Sequence, residues 1–84
     1  MPEAARETDP DTGGAPIDGA TAQSVLINGL PAAILGSTLT QHPGGTITSA
    51  SDSVICEGQP LARVGDSTSC NHMISSGSPD VEVG

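Results

Sequence analysis

The chain has no phenylalanine, tryptophan or tyrosine among its 84 residues. Aromatic side chains carry the largest buried areas, so their absence excludes a thick core. Lysine is missing too. Arg6 and Arg63 are the only cations against 10 carboxylates, and the formal charge is −8. Phosphate backbones are gripped by clustered cations, so nucleic acid is not an expected partner. An anionic bilayer surface would repel such a chain at equilibrium. The acidity reads most simply as a means of keeping a small glycine-rich protein soluble. No apolar run approaches the ~18 residues of a membrane-spanning helix. The opening stretch, MPEAARETDPDTGGAP, contains acids and no hydrophobic block. No secretory signal is expected there, and synthesis in the cytoplasm is.

What is present points to strands. Eleven glycines and seven prolines argue against long helices. The apolar remainder is mostly valine, isoleucine, leucine and alanine, which suits thin, closely packed strands. The expectation is an all-β fold with a narrow core, one domain over residues 1–84. A chain this short buries only about 60% of its unfolded surface, and often needs a metal, a disulfide or a partner.

One phrase occurs twice. Residues 24–36 read S-V-L-I-N-G-L-P-A-A-I-L-G, and residues 53–65 read S-V-I-C-E-G-Q-P-L-A-R-V-G. Ser24/Ser53, Val25/Val54, Gly29/Gly58, Pro31/Pro60, Ala33/Ala62 and Gly36/Gly65 coincide. Each copy predicts a strand, a turn (Asn28-Gly29 or Glu57-Gly58) and a return strand beginning at proline and closed by glycine. A loop then runs over 36–45 or 65–71, followed by a short strand at 46–49 or 72–75. Residues 80–83 begin a further copy that stops at Gly84, so this edge needs a surface to pair with, inside the chain or on a partner. Residues 1–15 read by composition as a flexible tail, or as a degenerate first repeat. In the second reading, Thr8 to Gly14 is a worn copy of the loop Thr40 to Gly45, with Thr12 opposite His42. A period of roughly thirty residues marks a small unit stacked or wound about an axis. Three loops and two hairpins suit approximate threefold character.

His42, Cys70 and His72 fall in or beside these loops, at related places in consecutive copies. Imidazole and thiolate are preferred ligands of tetrahedral zinc, and three from one chain nearly fill a shell. For the fourth place, Cys56 is the best candidate by chemistry, although on a strand it reads equally as a buried apolar thiol. Asp9, Asp11 and water are the other candidates. A Cys56–Cys70 disulfide is disfavoured by cytoplasmic synthesis. A closed shell would make the metal a structural staple, and an open one would permit hydrolysis. Asp66 and Glu57 are the only nearby carboxylates in the repeats, and neither sits in a catalytic arrangement. No enzyme is expected.

Pro31-Ala32-Ala33, with Pro60-Leu61-Ala62-Arg63-Val64-Gly65-Asp66, resembles the proline-alanine-alanine-arginine (PAAR) repeat family. The phrases V-L-I-N-G, G-D-S-T-S-C and I-S-S-G-S-P-D-V-E-V fit the same family, over about residues 5–84. The resemblance implies a small conical β structure of short hairpins stapled near its apex by one zinc ion (iron is the alternative). Carried over by position, His42, Cys70 and His72 would be its ligands. It further implies a monomer that caps the trimeric β-helical spike, VgrG-like or phage central spike, of a contractile injection machine. The base would sit on the spike's blunt end, at the tip of a phage tail or type VI secretion system. The apex would meet the target envelope transiently during piercing. Ile34 stands at the family's arginine position, Gly36-Ser37 replaces its Gly-Asp, and Thr12 stands where a loop histidine is often found. Three rival readings remain: an adaptor that docks a separate effector on the spike, a small zinc enzyme, and a disordered acidic chain with accidental repeats.

Overall fold

The computed structural model describes residues 2–41 and 45–83. Among them there is no helix. The same residues include six short strands in three separate antiparallel pairs: β1 (Ala22–Ile27) with β2 (Leu30–Ala32), β3 (Thr38–Leu39) with β4 (Gly45–Thr46), and β5 (Ile55–Cys56) with β6 (Gln59–Pro60). The fold is all-β, built from short hairpins. Asn28 and Gly29 have φ of 54° and 81°, and Glu57 and Gly58 have 52° and 81°. Two successive positive φ values are what a type I′ hairpin turn requires, and its twist matches that of the flanking strands. The stretch 36–45, which reads as loop, has pairing ends: Leu39 faces Gly45 and Thr38 faces Thr46.

A second element recurs three times: once ahead of β1, and once after each of the pairs β1–β2 and β5–β6. The amides of Asp9, Ser37 and Asp66 each donate to the carbonyl three residues earlier, on Arg6, Ile34 and Arg63, at 3.0 Å. The side chains of the same three residues accept from the amides of Arg6 (2.9 Å), Ile34 (2.9 Å) and Arg63 (2.7 Å). Each turn is thereby closed from both sides. Its third residue is Thr8, Gly36 or Gly65, with φ of 80°, 89° and 93°. Past the turn, Ile17, Ile47 and Ile74 each receive from that third residue and donate to the fourth. All three isoleucines are buried.

These turns hang from a closed ring. The Ala5 amide donates to the Ala62 carbonyl (3.0 Å), Ala62 to Ala33 (2.9 Å), and Ala33 to Ala5 (3.0 Å). The three alanines are fully buried. Side chains on an extended segment alternate between faces. Ala4, Ala32 and Leu61, one residue earlier, accordingly belong to one apolar cluster, with Ile27, Cys56 and Val83. Ala5, Ala33 and Ala62 belong to a second, with Ile17, Leu39, Ile47 and Ile74. Two thin apolar layers on either side of the ring therefore replace the single aromatic core that the composition cannot supply.

Residues 2–15 are laid into this body. Ala4, Ala5 and Ala15 are buried alongside the repeats. The edge left by residues 80–83 is taken up within the chain: Val83 donates to Pro2, and Ala4 to Val81, each at 2.8 Å. The Ser78 hydroxyl accepts from the amides of Asp80 and Val81, as Ser51 does from Ser53 and Val54.

Two substitutions test this geometry in opposite directions. A β-branched residue in the left-handed region is strained by about 1–2 kcal/mol, against roughly 0.5–1 kcal/mol of extra unfolded-chain entropy for glycine. Thr8→Gly therefore stabilises the fold, by on the order of 0.5–1 kcal/mol. A Cβ at Gly77 would stand 2.5 Å from the Ala4 carbonyl oxygen and 2.9 Å from Val64 Cγ2. Gly77→Ala therefore costs about 1–3 kcal/mol. Denaturant unfolding of both variants reads both signs.

Candidate metal centre

The third loop is a five-residue turn. Thr68 closes it, donating its amide to the His72 carbonyl (2.8 Å) while its hydroxyl accepts from the His72 amide (3.3 Å). Asn71 supplies the left-handed step, at φ 65°. Cys70 and His72 ride on this turn, both half-buried. The first loop has the same plan. The Asp11 amide donates to Ala15 (2.9 Å), and Gly14 takes φ 85°. Asp11 Oδ1 accepts from the amides of Gly13 and Ala15, both at 2.9 Å. That locks the carboxylate inside its own turn, with the side chain fully buried.

Hydrogen bonds tie the loops side by side. Thr12 donates to the Met73 carbonyl (2.8 Å), and the Met73 amide to the Thr12 hydroxyl (3.3 Å). Ser69 donates to the Thr46 carbonyl (2.8 Å), and the Thr46 amide to Ser69 Oγ (3.0 Å). The junction of first and third loops brings His72 Nδ1 to 3.4 Å from Asp11 Oδ2. Both atoms are shielded from solvent.

The four residues singled out in the sequence fare differently. His42, on the second loop, lies outside the described residues. Cys70 and His72 share one turn. Cys56 sits on β5 in the apolar cluster with Ala4, Ile27 and Val83, whereas the loops stand over the cluster that contains Ala15 and Leu39. Burial pushes the Cys56 thiol up, and the neighbouring Glu57 charge adds to this. Cys56 and Cys70 are both free. Among the described residues no three His, Cys, Asp or Glu side chains gather into a metal-holding group. The donor pair that does meet there, Asp11 with His72, is chemically suited to zinc.

Asp9 is spoken for. Arg6 Nε donates to its Oδ2 and Arg6 Nη2 to its Oδ1, each at 2.9 Å, beside the amide contact of the turn. Arg63 holds Asp66 in the same way. In both cases the arginine pKa is raised, first by the hydrogen bond to its aspartate.

A family model described as the PAAR motif matches residues 38–84. The chain belongs to the PAAR family. These are PAAR-repeat proteins of contractile injection systems, a structural family rather than a catalytic one. Membership fits a spike-tip or adaptor role, in association with a spike. A search of curated proteins finds no match. The PAAR match begins at Thr38, beyond the first two copies of the buried turn. Reading residues 1–15 as a tail or as a worn copy of the loop alone overlooks the turn Ala4-Ala5-Arg6-Glu7-Thr8-Asp9, whose Ala-Arg-x-x-Asp recurs in Ala62-Arg63-Val64-Gly65-Asp66.

Asp18 anchors the start of the second loop. Its carboxylate accepts from the Thr40 hydroxyl, the Thr40 amide (3.1 Å) and the Thr38 hydroxyl (3.2 Å). The Thr40 hydroxyl bond is the largest influence, and together these bonds hold the carboxyl below its ordinary 3.8 against the opposing effect of desolvation. A depressed folded pKa means stability that is present above 3.8 and lost as pH falls through the lower folded value. NMR titration should place the Asp18 midpoint below 3.8. A midpoint at or above that value would show the anchor to be absent in solution.

Proposed function

We propose that this chain is a plain spike tip: one copy caps a trimeric β-helical spike and leads it into the target envelope. The observation that carries the reading is the set of three equivalent turns joined through Ala5, Ala33 and Ala62, in a chain of the PAAR family. Capping a trimer with a single chain needs three related faces, and approximate threefold character supplies them. The hairpins support the same reading. Leu26 on β1 and Ile55 on β5 occupy matching strand positions and are exposed. Large apolar side chains in open positions suit a partner surface. Work in this role is mechanical, so the tip needs rigidity and no catalytic group.

One zinc ion would fasten the loops at the apex. Cys70 and His72 would hold it with His42, which lies outside the described residues. Bound there, the metal would supply folding energy and no chemistry on a substrate. The protein's own residues do the rest: Thr68 fixes the Cys70–His72 turn, and Thr12 and Ser69 fasten it to its neighbours.

Co-expression with candidate spike proteins, followed by native mass spectrometry, tests the reading. One chain per spike trimer is expected. Leu26→Asp with Ile55→Asp should weaken that complex more than about tenfold while leaving the isolated fold intact. Three chains per trimer, or no complex with any spike, would overturn it. A third protein that joins only through the tip would favour the adaptor role.

A further inference from the structure

We infer that Asp11 Oδ2 and His72 Nδ1 are two ligands of one zinc ion, so that a carboxylate from the first loop joins an imidazole from the third. This rests on the metal reading above and goes beyond it by naming the fourth ligand.

The separation of the two atoms is the first argument. At 3.4 Å they stand farther apart than the usual N–H···O range of about 2.7–3.2 Å. Two ligand atoms bonded at about 2.0–2.2 Å to one tetrahedral zinc are separated by about 3.3–3.5 Å. The observed spacing is that of two corners of such a shell. The orientation of the carboxylate is the second. Oδ1 is engaged by the Gly13 and Ala15 amides, which fixes the group and points Oδ2 across the loop junction at the imidazole. A carboxylate held in this way loses little further freedom on binding metal.

Position supplies the third argument. Asp11, Leu39 and Thr68 each stand two residues after the fourth residue of a buried turn, and all three are buried. The second and third copies fill that place with an apolar group and a hydroxyl, and only the first places an ionisable oxygen there. The other candidates are otherwise engaged. Asp9 is clamped by Arg6 through both oxygens, and Cys56 packs in the opposite apolar layer.

The test is zinc competition and cobalt(II) absorption on the purified full chain, as wild type, Asp11→Asn and Asp11→His. Asparagine keeps the oxygen that accepts from Gly13 and Ala15, so the turn survives, but a neutral amide is a poor zinc ligand. The wild type should bind one zinc and give an intense tetrahedral cobalt spectrum. Asp11→Asn should bind about 100-fold more weakly, and Asp11→His should restore tight binding with shifted cobalt bands. Equal affinity in wild type and Asp11→Asn would overturn the assignment of Asp11 alone. So would loss of binding in both variants while Asp11→His still unfolds cooperatively at the wild-type denaturant concentration, because a carboxylate that merely orients the imidazole is not replaced by histidine. A wild-type chain that binds no zinc would overturn this inference together with the metal reading, and would leave the spike-tip proposal to its own experiment.

Discussion

Everything in this fold depends on three backbone segments meeting side by side at a point with no room for a large side chain. Ala5, Ala33 and Ala62 hand one hydrogen bond each around a closed ring. Such bonds contribute only about 0.5–1.5 kcal/mol apiece, yet a buried amide left unpaired costs about 1–3 kcal/mol. Closure is what matters, since a ring leaves no orphan at its end. It also answers the edge problem of a small sheet protein, as barrels do by closing on themselves. The lack of aromatics now has a structural counterpart. Methyl groups sit where the segments converge, and apolar side chains of modest size fill the layers on either side.

The ring also fixes where chemistry can sit. Each segment leaves it through the same turn, closed by Asp9, Ser37 or Asp66, and runs on to a loop on the side of the Ile17, Ile47 and Ile74 layer. Loops from different parts of the chain are thereby neighbours, and Asp11 meets His72 across 61 residues of sequence. The opposite layer carries the β1–β2 and β5–β6 hairpins, on which Leu26 and Ile55 are exposed. In the proposed role these two sides divide the work. One is held together by polar groups and metal, while the other offers apolar area to a spike.

The hairpins were legible because their chemistry is local. Asn28-Gly29 and Glu57-Gly58 announce their turns, and the prolines mark the return strands. The first copy of the buried turn was not, for a physical reason. Its left-handed position is held by Thr8, where the other copies use Gly36 and Gly65, and its apolar content is two small alanines in an acidic stretch. Composition alone makes that a tail. What holds it in place is long-range: hydrogen bonds to Ala33, Ala62 and Val81, which no window of sequence contains. The pairing within 36–45 was missed similarly, since Thr38 and Leu39 bear no strand signal beyond their partners. Among the candidate site residues, the sequence singles out Cys70 and His72 through their repeat equivalence with His42, and the structure places both on one turn. Asp11 appeared only as one of several carboxylates, because its distinction lies in where its loop is fastened.

Amide hydrogen exchange on the intact chain tests the ring most directly. The Ala5, Ala33 and Ala62 amides should fall together in the slowest class, opening only with global unfolding. Should Ala5 exchange at the rate of an unstructured peptide while Ala33 and Ala62 stay protected, the ring would be open and this account of the fold would fail.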